Sequence, residues 1–316
     1  MKITDEKYSK YALVREMMET SEIIRKFNPL DASRFIIRIK AKKGLFMAGE
    51  GSSRIFPAKR AIFSMLQTGN LFPFITEGST QALDYNLSNY GVFAASNSGQ
   101  TKEVIRLAMK LQKSNHDALF GLTANSGTKL EEIASDTHIL SCGKENAVAA
   151  TKSVMEQGLF YDSLLRNLLG KEMPELDKLA EDTSKALTLA ISKDIIDSMK
   201  SADVLYFAGR NNGVAEELAL KTNEITRKKS DFLEGTFAVH GIEEVMDRNE
   251  VLVWIDPFAE EEEKFHDCLV KGVGMKVFVI TAGESRFPGI KIPDGGFPAR
   301  FAPYRPDPCR GACGLE

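Results

Sequence analysis

The sequence predicts an α/β protein: two doubly wound parallel sheets in tandem, each a three-layer α/β/α unit. Three observations lead there. Short, nearly continuous apolar runs alternate with segments of helical period, which is how strands buried on both faces read. Most of these runs end in glycine or small polar residues, where a strand hands over to a helix. Finally, the pattern restarts after residue 200. DVLYFAGRNNGVAEELALK (203–221) lines up with KGLFMAGEGSSRIFPAKRA (43–61), each an apolar run, then Ala-Gly, a polar loop and a helix.

Taken in order, apolar residues at helical spacing in 8–27 (Tyr8, Tyr11, Ala12, Met17, Met18, Ile23, Ile24) and in 32–41 predict helices, and 1–34 is set apart as an N-terminal helical segment. The first unit, 35–172, contains GLFMAGEG (44–51), GVFAASNSG (91–99) and ALFGLTANSG (118–127), each leading into a helix-like stretch. THILS (137–141) then precedes a long helix at 149–170. The remainder, 173–316, holds a helical connection at 174–200 and the second unit: VLVWID (251–256), a helix at 259–272, KVFVIT (276–281) and IKIP (290–293). The closing GGFPARFAPYRPDPCRGACGLE is proline-rich, has no periodicity, and is assigned no structure.

Composition narrows the function. The chain has 316 residues, a formal charge of −3, 43% hydrophobic and 27% charged residues, which is soluble globular usage with room for a large core. No basic stripe argues for nucleic acid. The start, MKITDEKYSKYALVREMMET, is charged throughout, so neither a signal peptide nor a membrane span is expected, and the setting expected is the cytoplasm. The four cysteines (Cys142, Cys268, Cys309, Cys313) are too scattered for a disulfide framework. Cys309 and Cys313 lack further ligands at zinc spacing, so a zinc site there is not expected. There is no GxxxxGK[ST] and no GxGxxG opening a helix after a strand, so nucleotide binding is poorly supported.

The loops point to a smaller anion. In an open parallel sheet, ligands sit beyond the carboxyl ends of the strands, where helix N-termini offer unpaired N–H groups and partial positive charge. Two loops of the first unit combine this with hydroxyls and glycine: Gly49-Glu50-Gly51-Ser52-Ser53 and Ser96-Asn97-Ser98-Gly99-Gln100-Thr101. Plain N-capping is the bland reading. One cap, however, needs one side chain, and these loops carry five hydroxyls, which favours phosphate binding. The corresponding loop of the second unit, Gly209-Arg210-Asn211-Asn212-Gly213, has none.

In the second unit, Glu217, Lys221 and Glu224 fall within an arc of about 60° on a helix. Either they form a solvated pair, worth ~0.3–0.5 kcal/mol, or a charged strip facing a cleft, and the apolar flanks (Val214, Leu218, Ile225, Leu220) leave both open. Two carboxylates around one ammonium would let a carboxylate act as a base while the lysine holds an oxygen. His240, in LEGTFAVHGIEEV, is placed on a loop after a strand, where an imidazole serves structure or proton transfer. His116, His138 and His266 are ascribed no role.

GEGSS, SNSGQTKE and ENAVAATK (145–152), followed by EELALKTNEI and FAVHG, resemble the sugar isomerase (SIS) domain family. The resemblance runs from about residue 8 to 295 in its tandem form, similar to the isomerase half of glutamine–fructose-6-phosphate aminotransferases and their stand-alone relatives. It implies two flavodoxin-like SIS subdomains and no metal or organic cofactor. It also implies that Gly51, Ser52, Ser53, Ser96, Asn97, Ser98, Thr101 and Val148 bind the phosphate of a hexose 6-phosphate. The family's Glu-x3-Lys-x2-Glu matches Glu217, Lys221 and Glu224. The resemblance gives Glu224 the proton shuttle between C1 and C2 through an enediol-type intermediate, with Lys221 and Glu217 assisting. A ring-opening histidine matches His240 and is contributed by the partner in a homodimer. The activity implied is an isomerase type on an amino-sugar or hexose 6-phosphate, glucosamine-6-phosphate deamination being the most economical version. A fructosamine-6-phosphate deglycase, a glutaminase-less aminotransferase subunit and a non-catalytic sugar-phosphate sensor are the alternatives. The chain departs from the family in two ways. It opens at MKIT without a glutaminase segment, so glutamine-dependent synthesis by this chain alone is not expected, and no lysine follows Lys291 to reach the sugar from the tail.

Overall fold

The computed structural model describes residues 6–293. Cys309, Cys313 and the tail beyond residue 293 lie outside the described residues. Among the described residues, ten strands form two five-stranded sheets, parallel throughout. The first has the order β2-β1-β3-β4-β5, from β1 (Gly44–Gly49), β2 (Phe74–Gly78), β3 (Tyr90–Ala95), β4 (Leu119–Thr123) and β5 (Asp136–Ile139). The second, β10-β9-β8-β6-β7, is built from β6 (Leu205–Gly209), β7 (Ser230–Glu234), β8 (Val251–Ile255), β9 (Lys276–Thr281) and β10 (Gly289–Lys291). Each unit's second strand pairs outside its first and its third pairs inside, so the two units share one strand order.

The sequence pattern predicts no strand at Phe74–Gly78 and only an unplaced strand before His240. Both β2 and β7 are edge strands with a half-polar face, so neither shows the continuous apolar run of an inner strand. The inner strands do show it. Neighbouring residues point to opposite faces. Met47, Phe93 and Phe120 therefore pack on one side of the first sheet, and Phe46, Val92 and Leu119 on the other. Phe35 meets Phe93, Phe120 and Phe160 edge-on at centroid distances of 5.1, 5.2 and 5.8 Å, a geometry that suits ring quadrupoles. In the second sheet Trp254 lies flat on Phe265 at 3.7 Å, while Val253 and Ile255 face Ala215 and Ala219 across the other side.

The connecting stretch consists of two helices that belong to different cores. Leu176–Leu187 packs on the N-terminal helix Ala12–Lys26 and sends Leu179 and Ala180 into the first core, whereas Ile195 of Lys193–Ser201 enters the second. The units touch through the helices Ile55–Gln67 and Val214–Thr226. Gly213 makes this possible: its φ is +83°, and a Cβ there would lie 2.5 Å from the Ile55 carbonyl oxygen. Lys59 pairs with Glu216 across the same contact and donates to Asn211 Oδ1 at 3.1 Å. Among the described residues no helix is long and apolar enough to cross a membrane.

Candidate active site between the two units

A doubly wound sheet opens a crevice where its strand order reverses, between the first and third strands. In the first unit this crevice is lined by Gly51–Ser53 after β1 and Ser96–Thr101 after β3, the two loops rich in hydroxyls. These hydroxyls are not helix caps. Thr101 occupies the N-cap position of Lys102–Lys113 yet makes no side-chain cap bond. Instead its hydroxyl meets Ser96 Oγ at 2.8 Å, and Ser96 Oγ and Ser98 Oγ lie 3.5 Å apart. Ser96 Oγ accepts from Thr101 N–H at 3.3 Å and Ser98 Oγ from Gln100 N–H at 3.2 Å. Among the described residues the backbone N–H groups of Asn97 and Ser98 donate to no acceptor. Gly99, at φ +65°, lets this loop turn against Thr128, whose side chain would lie 2.4 Å from a Cβ. Two free amides beside converging hydroxyls at a helix start form a cradle suited to an anion. Lys102, Arg106 and Lys129 line a depression of about 450 Å³ on the outer flank of the loop and add positive potential near it.

The charged helix of the second unit faces this crevice. Val214–Thr226 packs against Gly51–Ser53, with Leu220 Cδ2 3.8 Å from where a Gly51 Cβ would sit. Lys221 Nζ donates to Ser52 Oγ at 2.7 Å and to Glu224 Oε2 at 2.9 Å, and lies 3.3 Å from Glu217 Oε1. Two of these contacts are hydrogen bonds and the third, to Glu217, is an ion pair, and together they join both units. Lys221 and Glu217 side chains are only 16% and 11% exposed, against 33% for Glu224. The Glu217-Lys221-Glu224 strip is therefore turned into the junction and is not a solvated pair. Burial pushes the Glu217 carboxyl above its ordinary range, with Lys221 and Ser52 opposing the shift. Glu217 anchors the ammonium from behind, and the more open Glu224 is the carboxylate a ligand would meet.

His240 is not joined to this group within one chain. It is exposed, follows the short helical turn Phe237–Val239, and its ring Nε2 lies 3.1 Å from Lys264 Nζ. Val148 is 99% exposed among the described residues. Its loop is nevertheless fixed. Glu16 accepts from Asn146 N–H at 2.6 Å and Ala147 N–H at 3.0 Å, and Glu145 accepts from Thr151 N–H and Lys152 N–H at 2.7 and 2.9 Å. Neither glutamate stands out in the sequence as functional. Glu145 lies inside the ENAVAATK motif, whereas nothing around Glu16 signals its partner about 130 residues away. Among the described residues no cluster of His, Cys, Asp and Glu is placed to hold a metal ion.

No family model matches the chain. It is 26% identical over 289 residues to the glutamine–fructose-6-phosphate aminotransferase (isomerizing) of Pyrococcus horikoshii, a match covering 87% of this chain. The chain spans 45% of that relative's length. Among solved structures, the C-terminal domain of glucosamine-fructose-6-phosphate aminotransferase from Francisella tularensis superposes with a TM-score of 0.72, at 17% identity and 94% coverage of both chains. A glucosamine-6-phosphate deaminase from Thermotoga maritima gives a TM-score of 0.66 at 18% identity, covering 92% of this chain and 90% of that one. The chain has the fold of the tandem sugar isomerase (SIS) proteins, the family its motifs resemble.

Proposed function

We propose that this chain is an enzyme of phosphosugar isomerase type, acting on an amino-sugar or hexose 6-phosphate, and that its reaction is the deamination of glucosamine 6-phosphate. The observation that carries the reading is the Lys221 ammonium, held by Glu217 and Glu224 of one unit and by Ser52 in the hydroxyl-rich crevice of the other. A phosphate seated on the Asn97 and Ser98 amides places the rest of an open-chain sugar along the face where Lys221 and Glu224 stand. Glu224 removes the proton from C2 of the open aldehyde and returns it to C1, while Lys221 steadies the negative charge that develops on O1. One N–H proton of the amino group passes to O1, and the resulting C2 imine is hydrolysed by one water, giving fructose 6-phosphate and ammonia. The glucosamine-6-phosphate deaminase among the structural neighbours fits this choice.

Ring opening must precede these steps, and we assign it to His240 from a second copy of the chain. Its exposure and its separation from the Glu217–Lys221–Glu224 group favour that assignment.

Ammonia release from glucosamine 6-phosphate tests the proposal, with Glu224→Gln alongside. The variant is expected to lose about 10²–10⁴-fold in turnover while still binding hexose 6-phosphates. Hexose 6-phosphate binding without ammonia release in the parent protein would favour a deglycase or a sensor. A mixture of Glu224→Gln and His240→Ala proteins is expected to recover activity that neither has alone; no recovery would refute the shared site.

A further inference from the structure

Glu145 occupies a junction that the proposed chemistry does not use. Its carboxylate accepts from five donors in two segments. Oε2 takes Asn97 Nδ2 at 3.0 Å, from the loop after β3, and also the Ser153 hydroxyl. Oε1 takes Thr151 N–H at 2.7 Å, Lys152 N–H at 2.9 Å and the Thr151 hydroxyl at 3.2 Å, all at the start of the 18-residue helix Lys152–Leu169. Thr151, at the N-cap position, makes no side-chain cap bond itself, so Glu145 serves as a cap from six residues upstream.

Asn97 is held on its other side as well. Its carbonyl oxygen accepts from Ala124 N–H at 3.1 Å, Thr123 Oγ1 at 3.1 Å and Asn125 Nδ2 at 2.8 Å. The backbone of Asn97 is thus fixed by the loop after β4, and its side chain by Glu145 in the loop after β5. The free N–H groups of Asn97 and Ser98 take their direction from this double hold. The charge is placed against expectation. A carboxylate within hydrogen-bond reach of an anion cradle repels the ligand unless something outweighs it. Five donors absorb the charge, and the remaining effect of the carboxylate is geometric.

We propose that Glu145 is a positioning residue of the anion site, which acts through Asn97 to orient the Asn97 and Ser98 amides toward a bound phosphate. The inference rests on the phosphate reading of the first crevice. It makes a prediction opposite in sign to simple electrostatics: removing the negative charge by Glu145→Gln weakens anion binding.

The test is calorimetric titration of the full-length chain with inorganic phosphate and with fructose 6-phosphate, the fold of each variant being checked by circular dichroism. Glu145→Gln is expected to bind about tenfold more weakly, the loss of one charge-assisted hydrogen bond. In an Asn97→Ala background the same change is expected to cost less than about threefold, since the residue it acts through is gone. A role confined to capping the helix would give the same loss in both backgrounds and overturn the inference. Equal or tighter binding by Glu145→Gln would overturn it too. If that variant does not fold, Glu145→Asp keeps the charge and shortens the reach; weaker binding supports the inference and unchanged binding refutes it. Absence of phosphate binding by the parent protein would remove the phosphate reading and this inference together, whereas binding that Glu145→Gln leaves undiminished removes the inference alone.

Discussion

The two crevices of this molecule have the same topology and opposite contents. Between β1 and β3, hydroxyls and unpaired amides are left available. Between β6 and β8, the loops are satisfied from within. Arg210 donates to the carbonyl oxygen of Asp256 and to its carboxylate at 2.9 Å, and its guanidinium lies 4.2 Å from the centre of the Phe258 ring. Asp256 adopts φ +48°, an unfavourable backbone for a non-glycine residue, at the very end of β8. The second crevice thus holds its own anion, a carboxylate, where the first offers room for a foreign one. Strand order creates the opening, and a handful of side chains decide whether it is filled. The second unit instead supplies the Glu217-Lys221-Glu224 helix that leans over its neighbour's crevice.

Three tests by substitution and a pH series break or sharpen this contrast. The largest effect is expected at the joint. Gly213→Ala places a methyl against the Ile55 carbonyl at positive φ, and a loss of roughly 2–4 kcal/mol in stability is expected from thermal unfolding. A near-neutral result would mean the units do not need this contact. Next, Ser98→Ala should weaken phosphate about tenfold by titration, while Asn211→Ala in the second crevice leaves it unchanged. Equal effects would erase the distinction between the crevices.

A third change, Asp256→Gly, takes the carboxylate away from Arg210, which keeps the carbonyl oxygen of residue 256, and relieves the backbone, and phosphate should still bind once per chain. Two phosphates would show that one released cation in the right topology suffices. Smallest and most gradual is the effect of acid. His138 in β5 is buried, stacked on Phe160 at 4.3 Å, and burial pulls its pKa down to about 4. Because the folded value lies below the unfolded value near 6.5, the stability it contributes is present above that value. It is lost as pH falls toward 4, at a cost on the order of 1–3 kcal/mol. His240 and His266 of the second unit are at least partly exposed, so acid should loosen the first unit first, as hydrogen exchange can resolve. His138→Gln should flatten that acid limb.

Much of this was legible in the sequence, for identifiable reasons. Inner strands such as Val251–Ile255 are buried on both faces and announce themselves as unbroken apolar runs. The edge strand Phe74–Gly78 mixes Phe and Ile with Thr and Glu, and no local pattern separates it from a loop. Glu217, Lys221 and Glu224 are read from their spacing on one helix, but periodicity alone left their exposure open, because what covers them is the first unit, some 170 residues away in sequence. Glu16 and Glu145 were invisible as functional candidates for a stronger form of the same reason. A glutamate earns its role here from the backbone amides of a distant loop, and amides leave no mark in the sequence.

The closeness of Gly213 to Ile55 has a consequence for how the molecule works over time. Enzymes that clasp a ligand between two lobes swing them about a hinge on microseconds to milliseconds. A joint too tight for a methyl group, pinned beside it by Lys59 and Glu216, resists such a swing. On the proposed chemistry the part that must move is smaller: Lys221 would let go of Ser52 to meet the ligand and take it back afterwards, a rotamer change that side chains make in picoseconds to nanoseconds.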